Sequence, residues 1–132
     1  MPSIITDEPG WVDWEMWEGM IAMKGITIDR AAESAHPSYP EIVYPIDYGY
    51  VNETISVDGE ELDIFVGTAS NGLIGAIFTT DFRKDDQECK LIFNCTPQEI
   101  YLVNGFINFN QSLMQGKLLL RHEMRTIWTN RG

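Results

Sequence analysis

The stretch YPIDYGYVNETISVDGEELDIFV, residues 44–66, decides how this chain is read. β-Branched and aromatic residues fill it, and turn residues interrupt it at Pro45-Ile46-Asp47 and at Asp58-Gly59. That pattern describes short strands joined by tight turns. Working outward, Ile26 to Arg30 forms another strand-like run, and Ala31 to Pro40 is a loop of small residues with prolines at Pro37 and Pro40. Gly75 to Asp81 and Cys89 to Asn94 supply two further strands, separated by a charged loop from Arg83 to Glu88. Five short strands in so little chain predict a mainly β, α+β fold: a small five-stranded closed barrel of OB-like type with flanking helices.

Two segments carry a helical pattern instead. Over residues 7–23, Trp11, Trp14, Trp17 and Ile21 recur at three- and four-residue steps, with Asp7, Glu8 and Pro9 at the start and Gly25 past the end. This predicts an amphipathic helix packed on the core, whose tryptophan face could also serve as a subunit contact. The second is Thr96-Pro97-Gln98-Glu99, which combines a cap, a proline for the first helical position and a glutamate three residues after the cap. Ile100, Val103, Phe106 and Ile107 follow as an apolar stripe. Lys117 to Leu120 reads as a last strand, and the chain from Arg121 onward as a polar, fraying tail, with Arg121, His122 and Arg125 on a solvated face. The expected organisation is one domain over 1–132: an N-terminal helix to residue 25, barrel plus helix over 26–120, and a tail over 121–132.

The 132 residues carry 20 Asp+Glu against 9 Lys+Arg, a formal charge of −11. A field of that sign repels phosphate backbones and anionic lipid surfaces and attracts divalent cations. No nucleic-acid partner is expected, since no basic groove with interleaved aromatics is visible. No apolar run approaches a membrane span, and the first ten residues lack the basic and apolar parts of a signal peptide, so a cytoplasmic protein is expected. Cys89 and Cys95 lie six residues apart in a segment read as one strand. On that reading both face the same side, about 20 Å apart at 3.3 Å per residue. That is too far for a disulfide, and reduced thiols are expected. With only His36 and His122 besides, a structural zinc site is not expected.

Two features could carry chemistry. Asp58-Gly59-Glu60-Glu61-Leu62-Asp63 puts four carboxylates into six residues. Carboxylates so close repel one another unless a cation sits among them, and hard oxygen donors on a turn suit Mg²⁺ or Mn²⁺. Upstream, Tyr44, Tyr48 and Tyr50 fall within seven residues. Their hydroxyls can bind phosphate oxygens. Taken singly, each feature is equally an ordinary one: a solvated hairpin turn, and a piece of barrel core bent at Pro45 and Gly49.

Together, at this spacing, the stretch resembles the Mg²⁺-dependent inorganic pyrophosphatases, whose Y-P-x-x-Y-G-Y-I segment precedes an acidic D-G-D-P-x-D-V-x-V segment. The match is ungapped across both motifs. With Ile28-Asp29-Arg30, His36-Pro37 and Cys89 to Glu99 included, it covers roughly residues 26–120. The resemblance implies roles by position. Asp58 and Asp63 match metal ligands, and Glu60 stands where the family has the aspartate that ligates metal and accepts the proton of the attacking water. Tyr48 matches a tyrosine near the phosphate and metal cluster, Asp81 opens a second acidic loop, and Lys90 matches a phosphate-contacting lysine. Arg30 is the further cation nominated for the leaving phosphate.

Several departures accompany the match. Glu60 replaces an aspartate and Glu61 a proline, and the loop from Asp81 to Lys90 is two residues longer than expected. Counting forward from Asp81 makes Asp86 the next ligand, whereas counting back from Lys90 makes it Glu88. The resemblance implies hydrolysis of pyrophosphate, arriving as its magnesium complex, by a carboxylate-bound Mg²⁺ (or Mn²⁺) cluster in a homo-oligomer. The alternatives are a relative that binds metal and phosphate with weakened turnover, and a hydrolase of another phosphoanhydride or phosphoester.

Overall fold

A computed structural model describes residues 12–54 and 61–129. The elements run α1 (Trp14–Lys24), β1 (Ile26–Arg30), β2 (Asp47–Val51), β3 (Leu62–Val66), β4 (Leu73–Asp81), β5 (Asp86–Phe93), α2 (Pro97–Ile107), β6 (Met114–Leu120) and α3 (Met124–Thr129). Six strands form one sheet in the order β1-β2-β3-β5-β4-β6. Neighbours are antiparallel except β3 and β5, which run parallel with the β4 strand placed outside them.

The expected closed five-stranded barrel is corrected by this order. The sheet is open, has a sixth strand, and shows no β1–β6 ladder among the described residues. The reason lies in where the apolar side chains go. A barrel encloses one interior, whereas here successive residues of each strand feed two separate cores. Leu62, Ile64, Ala76, Phe78, Cys89 and Leu91 pack with Trp17 and Ile21 of α1 on one face. Phe65, Ile77 and Ile92 pack with Ile100, Val103 and Ile107 of α2 on the other. The sheet is a wall between two helix-covered cores, so neither face requires closure.

Local chemistry explains the helix ends. Asp13 caps α1, its side chain accepting from the Met16 N–H at 3.1 Å, and Gly25 ends it at φ 79°. The helix therefore starts later than residue 7; Trp11 and the residues before it lie outside the described residues. Trp17 is buried against the chain's own sheet, so it is core rather than a free contact face. In α2 the capping box is complete: Thr96 Oγ1 accepts from the Glu99 N–H, and Glu99 accepts from the Thr96 N–H.

Three further expectations change. β5 begins at Asp86, inside the segment read as a charged loop, and β6 begins at Met114. Residues 121–129 are no fraying tail: Arg121 pairs with Glu18 at 3.1 Å and donates to the Leu73 carbonyl, and Ile127 of α3 is buried. The two cysteines are free and buried but belong to different cores. The strand ends at Phe93, and Asn94 takes a positive φ of 54°, which breaks the alternation before Cys95. Burial pushes both thiols up to about 12, the state of inert sulfhydryls.

Candidate functional site

The ladder registers gather the polar side chains that sequence reasoning singled out. Tyr48 and Tyr50 point to one face of β2, and Tyr50 lies opposite Asp63 of β3. Asp63 lies opposite Lys90 of the parallel strand β5. Glu88 and Asp86 precede Lys90 by two and four residues, and so share its face. Asp81 lies directly opposite Asp86 at the hairpin end. This polar strip continues the face covered by α2.

Its centre is the Lys90 ammonium. The Lys90 Nζ donates to Asp63 Oδ2 at 2.8 Å, to Tyr48 Oη at 2.9 Å and to Glu88 Oε1 at 3.2 Å. These contacts employ all three N–H donors of the ammonium. Lys90 is almost wholly buried, and a buried charge survives only when paired and hydrogen-bonded. Burial favours the neutral amine, but Tyr48, Asp63 and Glu88 around it hold the ammonium well above its ordinary value.

The two carboxyls respond in opposite directions. Burial pushes Asp63 up, but the Lys90 charge and hydrogen bonds from Glu88, Lys90 and Tyr48 bring it below its ordinary value. Burial pushes Glu88 up to about 7; Lys90 opposes the shift, and the hydrogen bond and negative charge of Asp63 add to it. The pair shares one proton, seated on Glu88 while Asp63 is ionised. Burial also raises the Tyr48 hydroxyl, which stays protonated and able to donate.

Asp81 is engaged differently. Its Oδ1 accepts from the Arg83 N–H at 3.0 Å and from Nε at 3.3 Å, and its Oδ2 from Nη2 at 3.2 Å. Burial pushes this carboxyl up, but the Arg83 side chain, the Arg83 N–H and charge, and the Lys84 N–H bring it down. Arg83 in turn lies over the Tyr39 ring, 5.2 Å from its centroid. Arg83 was not among the residues nominated from sequence. The usable signal is the Asp-x-Arg spacing at a turn, where an aspartate accepts from the N–H two residues on.

Arg30 reaches this face indirectly. Its Nη1 donates to Tyr44 Oη at 2.6 Å, and the Tyr44 ring stacks on Tyr48 with centroids 5.2 Å apart. The segment between them is tighter than a loose loop. Glu33 and Tyr44 join by a 2.7 Å backbone bond, Ala35 bridges Val43, and the His36 N–H reaches the Ile42 carbonyl at 2.8 Å. His36 lies under the same cations: burial lowers its pKa, and Arg30, Arg83 and Lys84 lower it further. Four of the chain's nine lysines and arginines, namely Arg30, Arg83, Lys84 and Lys90, therefore converge on this end of the sheet. In so acidic a chain that is a local cationic rim beside carboxylates.

Of the nominated residues, the structure brings Tyr48, Asp63, Glu88 and Lys90 together and leaves Asp86 outside the Lys90 cluster. Asp58 and Glu60 lie outside the described residues. Asp63 and Glu88 are hard oxygen donors of the kind Mg²⁺ and Mn²⁺ take, and the two share a single ammonium. The donor chemistry thus fits a divalent ion. Among the described residues no group of three or more His, Cys, Asp or Glu is gathered as a metal site, so further donors have to come from elsewhere.

Comparison with known proteins points the same way. Residues 22–82 match the family model described as inorganic pyrophosphatase. That segment contains Arg30, Tyr48, Asp63 and Asp81, while Glu88 and Lys90 lie beyond it and return through the β3–β5 pairing. A stretch of 34 residues is 53% identical to the inorganic pyrophosphatase of Wigglesworthia glossinidia brevipalpis, covering 26% of this chain and 19% of that protein. The chain thus matches about a fifth of the length of that curated relative. The fold is similar to that of an inorganic pyrophosphatase from Coxiella burnetii, with a TM-score of 0.53 and 14% identity over 80% of this chain and 90% of that one. Over residues 22–82, just under half of its length, the chain is similar to the inorganic pyrophosphatase family.

Proposed function

We propose that this chain hydrolyses inorganic pyrophosphate to two phosphates, with Mg²⁺ as its metal and Mn²⁺ as a substitute. The observation that carries the reading is the junction of Asp63, Glu88 and Tyr48 on the Lys90 ammonium, within and just beyond the family segment. Asp63 and Glu88 would hold the ion, joined on the resemblance by Asp58 and Glu60. A divalent ion held there lowers the pKa of a bound water toward 7 and offsets charge on the phosphates.

The chain's own groups have separable tasks. Asp63, ionised, anchors the cation. Glu88 carries a proton near neutral pH and has to release it before both carboxylates can ligate. Tyr48, kept protonated, offers its O–H to a phosphate oxygen, and Lys90 supplies positive charge to the same region. Glu60 is the proposed acceptor of the attacking water's proton. Arg30 steadies the leaving phosphate from beyond Tyr44. Substrate arriving as a magnesium complex is not repelled by a net charge of −11. A homo-oligomeric form rests on the resemblance alone.

Phosphate release from pyrophosphate, measured with Mg²⁺ and with Mn²⁺ beside Asp63→Asn, tests this. Metal-dependent release that falls about 100-fold or more in the variant supports it, the scale of one displaced catalytic group. Release equal in the variant and wild type overturns it. One observation favours the binding alternative: all three Lys90 donors are already used within the protein. Metal-dependent pyrophosphate binding in calorimetry without turnover would select that reading.

A further inference from the structure

We infer that Arg83 is a built-in counter-ion that takes the place of a divalent cation at Asp81, so that the turn between β4 and β5 works as a latch and not as a second ligand loop. The inference rests on the reading above only in treating the neighbouring carboxylates as a divalent-ion site.

A carboxylate offers about four lone-pair positions. At Asp81 three are taken by Arg83, through its own N–H, Nε and Nη2. The Lys84 N–H acts on the same group. The acceptor is therefore saturated by donors from Arg83 and Lys84. The guanidinium is a planar fork that no solvent exchange can neutralise. The Asp81 side chain is only 7% exposed, and that of Arg83 is 31% exposed. A metal ion reaching Asp81 has to displace this ion pair as well as shed its own water. Arg83 is held from a second side by the Tyr39 ring, at 5.2 Å, which fastens the Ile42–His36 hairpin onto the turn. Asp63 and Glu88 differ in geometry: one ammonium, the Lys90 Nζ, is shared between Asp63 Oδ2 and Glu88 Oε1. One carboxylate in the strip thus has both of its oxygens engaged by its own turn.

Calorimetric titration with Mn²⁺ on the full chain tests this, using wild type, Arg83→Gln, Arg83→Lys, Asp81→Asn and the Arg83→Gln/Asp81→Asn double variant. Arg83→Gln is expected to gain a site or bind Mn²⁺ about tenfold tighter, the usual scale for a residue that holds a ligand. The double variant should lose that gain. Arg83→Lys, which keeps the charge, and Asp81→Asn should each stay within about twofold of wild type, well inside that scale. Arg83→Gln that binds like wild type overturns the inference, as does Asp81→Asn that weakens Mn²⁺ binding about tenfold while Arg83 is present. Melting curves of each variant identify any that fails to fold, in which case the Arg83→Lys and Asp81→Asn arms decide. Turnover is not the readout: a chain that fails to release phosphate yet gains Mn²⁺ on loss of Arg83 refutes the proposed activity and upholds the latch.

Discussion

Asp63 and Lys90 face each other across a parallel pair of strands and meet at 2.8 Å, 27 residues apart in the chain. Lys90 is the main reason Asp63 can be ionised where it sits, and Asp63, with Tyr48 and Glu88, holds Lys90 charged in turn. Everything distinctive at this end of the sheet is arranged around that pair.

Lys90→Met removes the ammonium but not the negative charge, leaving Asp63 and Glu88 side by side in a half-buried setting. Breaking a buried pair on one side costs about 3–5 kcal/mol. The expected outcome is a loss of that size in urea unfolding at pH 8, shrinking at pH 5 as Glu88 becomes protonated. Equal losses at the two pH values would show that packing, not charge, is the source.

Glu88 gives stability an unusual pH slope. Its folded value of about 7 lies above the ordinary 4.5 of an unfolded chain. Its contribution is therefore fully present below about 4.5 and is lost as pH rises through 7. Asp63 has the opposite sign, since its pKa is lowered: its contribution is present above its unfolded value of 3.8 and fades in acid. Between pH 5 and 8 the Glu88 contribution dominates, and a tenfold change in proton affinity is worth about 1.4 kcal/mol. Unfolding free energies of wild type and Glu88→Gln across that range should follow different slopes, wild type losing more with rising pH.

The same proton competes with metal. If Asp63 and Glu88 bind a divalent ion, its uptake releases a proton from Glu88 below about pH 7. Mn²⁺ affinity at pH 6 should be about tenfold below that at pH 8, since a carboxyl titrating at about 7 is ionised to about a tenth at pH 6 and about nine-tenths at pH 8. Calorimetry in two buffers of different ionisation enthalpy measures the proton directly. Glu88→Gln should abolish the buffer dependence.

Of the glycines in the strands, Gly49 lies closest against neighbouring main chain. A Cβ there would run into the Thr27 carbonyl oxygen, within the β1–β2 ladder where the register shifts between Ile28 and Arg30. The obstacle is main chain and cannot rotate away. Gly49→Ala should cost about 1–3 kcal/mol or release β1 from the sheet. Amide exchange on Ile26 to Arg30 would report the second outcome.

Glu99 ties the loop after β3 to the start of α2. One oxygen accepts from the Thr96 and Thr68 N–H groups at 2.9 and 3.0 Å, and the other from Thr68 Oγ1 at 3.0 Å. Glu99→Ala should lower stability by about 1–2 kcal/mol, the range of a lost cap. A change below the error of the measurement would mean that water replaces those bonds at no cost.

Local rules made some of this legible. Ile26–Arg30 and the box at Thr96–Glu99 depend on neighbours in sequence, and the structure has both where the residues indicate. Strand alternation does not resolve the ligand ambiguity between Asp86 and Glu88, because both lie on the same face. What separates them is the reach of Lys90, a contact with Glu88 only two residues away. For Cys95 the strand pattern misleads at one residue, Asn94, whose positive φ ends the period-2 alternation. Openness of the sheet is beyond local reading altogether, since it depends on α1 and α2 claiming opposite faces. Position alone suggests a metal role for Asp81, whereas the fate of its oxygens is set by Arg83, two residues on.

The β3–β5 junction also has a temporal meaning. Lys90 finds Tyr48 across 42 residues and Asp63 across 27. Neither contact exists until β5 has come back alongside β3. Loop closure of that span is paid before the contacts reward it. A chain still emerging from synthesis, or one partly unravelled, has Asp63 but not the ammonium that tempers it. Ion chemistry at this corner is thereby reserved for molecules that have finished folding.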